Sequence, residues 1–371
     1  MKILILSDIN SVHTQKWVRG LSDHGFTIGL FSFSYSEVDW FRSLINVELL
    51  FQPASSRGSQ SFLDKLGYLK YSGKLKLAIR RFCPDVLHAH YASSYGLLGS
   101  ISGFHPYIIS VWGSDVYDFP KTSFLHKKIF QYNLSCADQI LSTSEIMRRE
   151  TGRYTKSDIQ VTPFGVDTDF FSPAVSDYSL FEPSDIVVGQ IKSFEPKYGT
   201  DILISAFHRA RERHPELPLK LLLVGKGSLL DQLREMVDRL GISNHVVFSG
   251  RIPHEEIVRY HNMIDIFVSA SVDDSESFGV SAVEACSCAK AVVVARTGGL
   301  VEVVVENQTG LVAERGDVES TANSILHFAL NPQMRKEFGI RAREHVKMHY
   351  DWKNNLKRMI NIYRKFKSVG S

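Results

Sequence analysis

Cysteine is scarce: the 371 residues hold four, at Cys83, Cys136, Cys286 and Cys288. Four scattered thiols cannot build a disulfide framework. Cys286 and Cys288 lie two apart on what reads as a helix, where such positions point in different directions, so a zinc site is not supported either. A reducing, cytoplasmic setting is the expectation. Long apolar runs are also missing. Nothing approaches the roughly 20 consecutive apolar residues of a membrane-spanning helix. The apolar start, Ile3 to Leu6, is cut short by Asp8 and has no small-residue cleavage site, so it reads as a first buried strand and not as a signal peptide. No internal repeat or low-complexity tract is visible. After the first strand there is no Gly-x-Gly-x-x-Gly, which argues against a nicotinamide-dependent dehydrogenase; Gly225-Lys-Gly227 alone is a weak match.

What is present is the composition of an ordinary globular chain, with 44% hydrophobic and 22% charged residues, long enough for about two domains. The net charge of +3 is small but unevenly spread. Residues 1–165 carry 18 Lys/Arg against 13 Asp/Glu, and residues 166–371 carry 25 against 27, so the first half is the better suited to an acidic partner. Part of its excess lies in residues 65–81, where Lys65, Lys70, Lys74, Lys76, Arg80 and Arg81 alternate with apolar side chains. This is expected to be a surface helix with a solvated face, interrupted by Gly67 and Gly73; peripheral contact with an anionic membrane is the alternative.

Short apolar runs alternate with amphipathic segments. Ile3–Leu6, Thr27–Phe33, Asp85–His90, Tyr107–Trp112, Gln139–Ser142 and Asp158–Thr162 read as strands, with a helix over His13–His24. The pattern restarts with strands at Ile186–Gly189, Leu219–Val224, Val246–Ser249, Ile264–Ser269, Ala291–Ala295 and Gly310–Val312, and helices at Asp201–His214 and Leu229–Leu240. Between the two series, residues 163–185 hold Pro163, Pro173 and Pro183 among polar residues, as a linker does. The expectation is an α/β chain of two Rossmann-like domains with parallel sheets, residues 1–165 and 170–352, facing each other across a cleft. In such sheets ligands bind at the carboxyl ends of the strands. A long amphipathic tail, Ala342–Phe366, is broken near Tyr350-Asp351-Trp352.

The most informative stretch runs from Asp273 through Glu276, Ser277-Phe278-Gly279 and Val280 to Glu284. A loop carries Glu276, Gly279 opens a helix, and Glu284 lies about 7 Å further along its axis. A helix amino end offers free N–H groups and a positive dipole end, a ready phosphate site. Carboxylates on either side of it suit a sugar, two phosphates and a ribose. The plainer reading makes Glu276 a cap, and leaves Glu284 solvated. Asp273 and Asp274 are expected to serve loop solubility, with no metal bound.

Glu276-x7-Glu284 around Ser-Phe-Gly, with Gly298-Gly299-Leu-Val-Glu302 after the next strand, resembles the retaining glycosyltransferases of family 4, which have the GT-B architecture. Also similar are Ser193-Phe-Glu-Pro-Lys-Tyr-Gly199, Leu221–Gly227, Val247-Phe-Ser-Gly-Arg-Ile252, Pro163-Phe-Gly-Val-Asp167, His88-Ala-His90 and Trp112-Gly-Ser-Asp115. The likeness spans nearly the whole chain and is strongest over residues 186–313.

The resemblance implies a retaining, metal-independent hexosyltransferase without a cofactor. Its co-substrate is a UDP- or GDP-linked sugar, and its acceptor a glycan or lipid-linked sugar in cell-surface polysaccharide or glycoconjugate synthesis. It implies that Glu284 meets the ribose hydroxyls and Glu276 the donor sugar. The backbone of Phe278, Gly279 and Val280 holds the diphosphate, and Gly225, Arg251 and Ile252 complete the donor side. Lys192, where many members have Arg, and Lys197 meet the charge that grows on the leaving diphosphate, the kind of interaction that lowers a barrier. His13 falls near the donor–acceptor junction. Trp112 stands where many members have a donor-contacting His; it can neither accept a hydrogen bond nor carry a proton, and Asp115 or His90 is expected to take part of that contact. The family's Asn before Gly-Val-Asp is Phe164 here. The first domain is expected to bind the acceptor and to be joined by a returning C-terminal helix, about 353–371, with Trp352 near the crossing. Alternatives are a sugar-nucleotide 2-epimerase of related fold and a non-catalytic nucleotide-sugar-binding protein.

Overall fold

A computed structural model describes residues 1–36, 38–54, 67–174 and 179–367. Two compact units divide the chain: Met1–Pro163 together with the segment from Lys353 onward, and Phe164–Trp352. Among the described residues no helix is long and apolar enough to cross a membrane.

In the first unit seven strands form one parallel sheet: β1 (Lys2–Leu6), β2 (Thr27–Phe31), β3 (Val47–Phe51), β4 (Val86–His90), β5 (Tyr107–Val111), β6 (Gln139–Ser142) and β7 (Ile159–Val161), in the order β3-β2-β1-β4-β5-β6-β7. β1, β4 and β5 are buried almost throughout because helices cover both faces; β1 and β5 are mostly apolar, while β4 carries the buried polar His88 and His90. β3 is absent from the sequence expectation. It is an edge strand, carries Glu48 and is only half-buried, so its pattern lacks the signature of its central neighbours.

The basic stretch forms a 3₁₀ turn, Gly67–Tyr71, and a helix, Ser72–Phe82, that buries Leu75, Ala78 and Phe82 and exposes Lys74, Lys76, Arg80 and Arg81. Gly73 sits in the first turn, where a helix tolerates it, so the expected interruption does not occur. Lys65 lies outside the described residues.

The second unit repeats the plan with six parallel strands: β8 (Ile186–Ile191), β9 (Leu219–Val224), β10 (Val246–Gly250), β11 (Ile266–Ser269), β12 (Ala291–Ala295) and β13 (Leu311–Ala313), ordered β10-β9-β8-β11-β12-β13. Its core gathers Phe194, Phe207, Leu221, Leu223, Val268, Val293, Ile325 and Phe328 between sheet and helices. The two points where the chain leaves this unit are tied together. Val166 N–H donates to the Tyr350 carbonyl at 2.8 Å, Trp352 N–H to the Val166 carbonyl at 2.8 Å, and the Thr168 hydroxyl to Asp351 at 2.8 Å. The tail breaks there, between helices Pro332–His349 and Trp352–Lys367, because Tyr350 and Asp351 pair with the 166–168 segment instead of continuing the helix.

The last helix is pinned to the first unit by a buried polar chain. Tyr363 Oη lies 2.6 Å from Nδ1 of His88 and Ser110 Oγ lies 2.7 Å from its Nε2, so both ring nitrogens are engaged at a site without exposure. Burial lowers the His88 pKa to about 3. A pKa depressed in the folded state contributes stability that is present above the unfolded value of 6.5 and lost as pH falls from 6.5 toward 3. At pH 4.5 the loss through His88 is about 3 kcal/mol. Urea unfolding of the first unit at pH 7 and pH 4.5 should therefore show a steeper acid loss in wild type than in His88→Phe. Equal slopes would refute the assignment.

Candidate functional site

The expected site residues form two groups, one in each unit. In the second unit the sheet order reverses direction between β8 and β11, and the loops leaving their carboxyl ends diverge there, opening the crevice where open parallel sheets take ligands. Lys192 follows β8 directly and Glu276 stands in the loop after β11. Their side chains meet: Nζ of Lys192 lies 2.6 Å from Oε2 of Glu276, and the Glu276 side chain is 9% exposed. Burial opposes the Lys192 charge, but attraction to Glu276 and Tyr198, with the Glu276 hydrogen bond, outweighs it and holds the ammonium above its ordinary pKa. Glu284 is near enough to strengthen the same field. Desolvating two ions largely cancels their attraction, so such a pair is weak evidence for a stability role and better evidence for a binding site.

Tyr198 is a site residue that the sequence reading did not single out. Its ring lies under two cations, with Lys192 Nζ 4.4 Å and Lys197 Nζ 5.0 Å from the centroid. Its place in the Pro196-Lys-Tyr198 turn, directly after Lys197 in sequence, was the available signal. The turn is anchored by Gln190, whose amide donates to the Tyr198 carbonyl at 3.2 Å and accepts from the Thr200 hydroxyl at 2.8 Å. Lys197 itself is exposed.

Gly279 precedes the helix Val280–Ser287 with φ +74°, a conformation glycine adopts without strain, and an added Cβ would lie 2.4 Å from Leu300. Its carbonyl accepts the N–H groups of Ala282 and Val283, so Val280 and Ser281, one step earlier, have no helical carbonyl to reach. The hydroxyls of Ser271, Ser281 and Thr297 also lack partners among the described residues. Glu284, within this helix, is not a solvated outer residue: its side chain is 12% exposed and Oε2 lies 3.2 Å from Nε2 of buried His261. At the helix's far end Arg343 donates to the carbonyls of Ser287, Phe171 and Thr168, complementing the negative end of the dipole. Burial pushes the thiols of Cys286 and Cys288 up to about 12, which leaves them inert.

Asp273 and Asp274 do more than solvate the loop. Asp273 Oδ1 accepts the Ser275 N–H at 2.7 Å, and Asp274 Oδ1 accepts the Gly298 N–H at 3.2 Å and an Arg315 N–H at 3.3 Å. The Glu276 carbonyl accepts the Gly299 N–H at 2.8 Å, so both glycines of Gly298-Gly299 brace the glutamate loop through their amides. Gly225 lies at the end of β9 and bonds to the Gly250 carbonyl at 2.9 Å; Arg251 and Ile252 follow on the neighbouring loop, Arg251 exposed. Glu195 ties the lysine turn to this region, accepting from the Ser228 N–H at 3.0 Å and its hydroxyl at 2.6 Å. Among the described residues no three His, Cys, Asp or Glu side chains are placed to hold a metal ion.

In the first unit, β1 and β4 form the corresponding reversal, and His13, His90, Tyr91 and Trp112 gather at their carboxyl ends. The His90 ring stacks on Trp112 at 4.4 Å, with His13 edge-on at 5.9 Å and Tyr91 at 5.8 Å. His90 accepts or donates to Ser7 Oγ at 2.9 Å, and burial, with His88 and His13 nearby, keeps its pKa well below 6.5. Asp115 departs from expectation. It is 1% exposed, and its oxygens accept the N–H groups of Ala92 at 2.8 Å, Trp112 at 3.1 Å and Gly113 at 2.8 Å. Burial raises its pKa against those bonds. It braces the turn that presents Trp112.

Two parallel-sheet α/β units with switch points of this kind define the GT-B glycosyltransferase fold, and the chain superposes over its full length on the whole of sucrose-phosphate synthase from Thermosynechococcus elongatus, with a TM-score of 0.84 and 19% identity. In sequence, residues 2–144 match the family described as Glycosyl transferase 4-like and residues 176–345 the family described as Glycosyl transferases group 1. Two glycosyltransferase family models thus match successive stretches of the chain. An uncharacterized glycosyltransferase of Methanocaldococcus jannaschii is 26% identical over 283 residues, 75% of each chain. The GDP-mannose-dependent alpha-(1-6)-phosphatidylinositol monomannoside mannosyltransferase of Mycolicibacterium smegmatis is 30% identical over 212 residues, 54% of each chain.

The backbone at Gly225 sets the distance between two of these loops. Its φ is +151°, and an added Cβ would lie 1.9 Å from the Lys192 carbonyl oxygen. Gly225→Ala should cost about 1–3 kcal/mol or more, read as a lowered unfolding temperature. A variant as stable as wild type would show that this close approach is dispensable.

Proposed function

We propose that the protein transfers a sugar from a UDP- or GDP-linked donor, with retention at the anomeric carbon and without a metal ion. The observation that carries this reading is the assembly in the second unit: the Lys192–Glu276 pair, the open amino end of the Val280–Ser287 helix, and Glu284 beyond it. Helix amides and lysine charge suit a diphosphate, and the flanking carboxylates suit hydroxyl groups. The mannosyltransferase relative is GDP-mannose-dependent by name, which favours the same donor class.

In the proposed reaction the bond between the sugar's anomeric carbon and the diphosphate oxygen breaks through an oxocarbenium-like transition state. The acceptor oxygen bonds to that carbon on the same face, and its proton passes to the departing phosphate. Lys192 and Lys197 stabilise the charge growing on the diphosphate; Lys192 leaves its ion pair as Glu276 turns to the sugar hydroxyls. Phe278, Gly279 and Val280 supply backbone N–H groups, Gly225, Arg251 and Ile252 border the base, and Glu284 takes the ribose. The first unit takes the acceptor, a glycan or lipid-linked sugar, with His13 and Trp112 as its candidate groups and the Ser72–Phe82 helix as its candidate membrane contact. The setting is cell-surface polysaccharide or glycoconjugate synthesis at the cytoplasmic side of the membrane.

Incubation with UDP- and GDP-sugars, with and without glycan acceptors, should release nucleoside diphosphate only when an acceptor is present. Interconversion of the nucleotide sugar would instead mark an epimerase, and tight binding without turnover a binding protein. Glu276→Ala should lower turnover by about a hundredfold or more with free-nucleotide affinity nearly intact, whereas Glu284→Ala should weaken nucleotide binding about tenfold or more. Equal losses of both quantities in both variants would remove the division of roles.

A further inference from the structure

We propose that His261 is a positioning residue for Glu284: its Nε2–H holds one carboxylate oxygen and so fixes the other for the ribose hydroxyls of the nucleotide. This rests on the ribose role given to Glu284 above. The ring, on the helix Ile257–Met263, has no exposure, and its Nε2 lies 3.2 Å from Glu284 Oε2. Its Nδ1 is buried without a partner among the described residues. A carboxylate oxygen can only accept, so Nε2 must carry a proton. A second proton on Nδ1 would leave a donor stranded among apolar groups. Of the two tautomers, the arrangement therefore selects the one protonated at Nε2.

The ring cannot turn away to find another partner. Phe171 stands edge-on to it at 5.7 Å, and Phe267 lies tilted against it at 5.8 Å. Phe171 is itself held, its carbonyl accepting from the Ser287 hydroxyl at 2.5 Å and from Arg343 at 3.1 Å. The chain of support thus runs from the carboxyl end of the Val280–Ser287 helix, through Phe171 and His261, back to Glu284 in that helix. An unsupported glutamate samples several rotamers and loses that freedom on binding; a glutamate already held by an immobile donor loses less.

The test compares UDP and GDP with their 2′- and 3′-deoxy counterparts by calorimetry on the full chain. Wild type should prefer the ribonucleotide by about tenfold or more. Glu284→Ala should erase that preference. His261→Phe, which keeps the ring's volume without the donor, should erase most of it, and His261→Gln, whose amide N–H has a similar reach, should restore part. If His261→Phe keeps the full preference while Glu284→Ala loses it, the positioning role fails and the ribose reading stands. If Glu284→Ala keeps it, or wild type binds none of these nucleotides, the ribose reading fails and takes the proposal with it. Histidine ¹⁵N spectra of wild type at pH 7 give a check that needs no His261 variant. They should show His261 protonated at Nε2 and bare at Nδ1, with a signal that moves in Glu284→Ala; protonation at Nδ1 alone overturns the proposal.

Discussion

In the proposed reaction, the lysine–glutamate contact between Lys192 and Glu276 is the interaction on which the second unit's chemistry turns. It joins the loops leaving β8 and β11 across the one place in the sheet where neighbouring connections part in opposite directions. A salt link there does little for folding, because two partly buried ions lose nearly as much hydration as they gain in attraction. What it does is hold a lysine and a carboxylate close together and partly dehydrated in the crevice where a parallel sheet receives ligands. Tyr198 extends the device by offering one aromatic ring to both lysines.

Around that pair the loops are built to hold still. Gly225 and Gly279 occupy backbone conformations or spaces that a side chain would disrupt. Carboxylates outside the reacting group brace the loops: Glu195 grips Ser228, and Asp274 grips Gly298 and Arg315. Preorganised donors of this kind need not be rearranged when charge develops on a ligand, which is the condition for electrostatic help in a transition state. The first unit follows the same rule with different material. Asp115 fixes the turn bearing Trp112, and His88, unprotonated through burial, couples the returning helix to the sheet.

The two units share a strand order, β3-β2-β1-β4-β5-β6 in one and β10-β9-β8-β11-β12-β13 in the other, although no repeat is visible in the sequence. The common order reflects physics more than residue identity. Right-handed crossovers between parallel strands, covered by helices on both faces, allow few arrangements. Sequence variation is then free to place lysines and glutamates at one reversal and histidines and a tryptophan at the other.

Much of the architecture was legible in the amino-acid order because apolar runs and amphipathic periods are local: the buried strands β1, β4, β5, β9 and β12 and the helix opening after Gly279 all announce themselves. β3 did not, since an edge strand with Glu48 at its second position lacks a continuous apolar run. The spacing of Glu276 and Glu284 about a helix start was likewise readable. Its partners were not: His261 against Glu284 and Asp115 held by the Ala92 amide depend on which separate segments the packing brings together, and Tyr198, though next to Lys197, shows its contact with both lysines only once the loop is folded. Sequence by itself determined the elements and the kinds of groups at their ends, because those depend on neighbours a few residues away. Only the tertiary structure decided which of those groups face each other and which are buried and already satisfied, because hydrogen-bond reach and desolvation are set by atoms far apart along the chain.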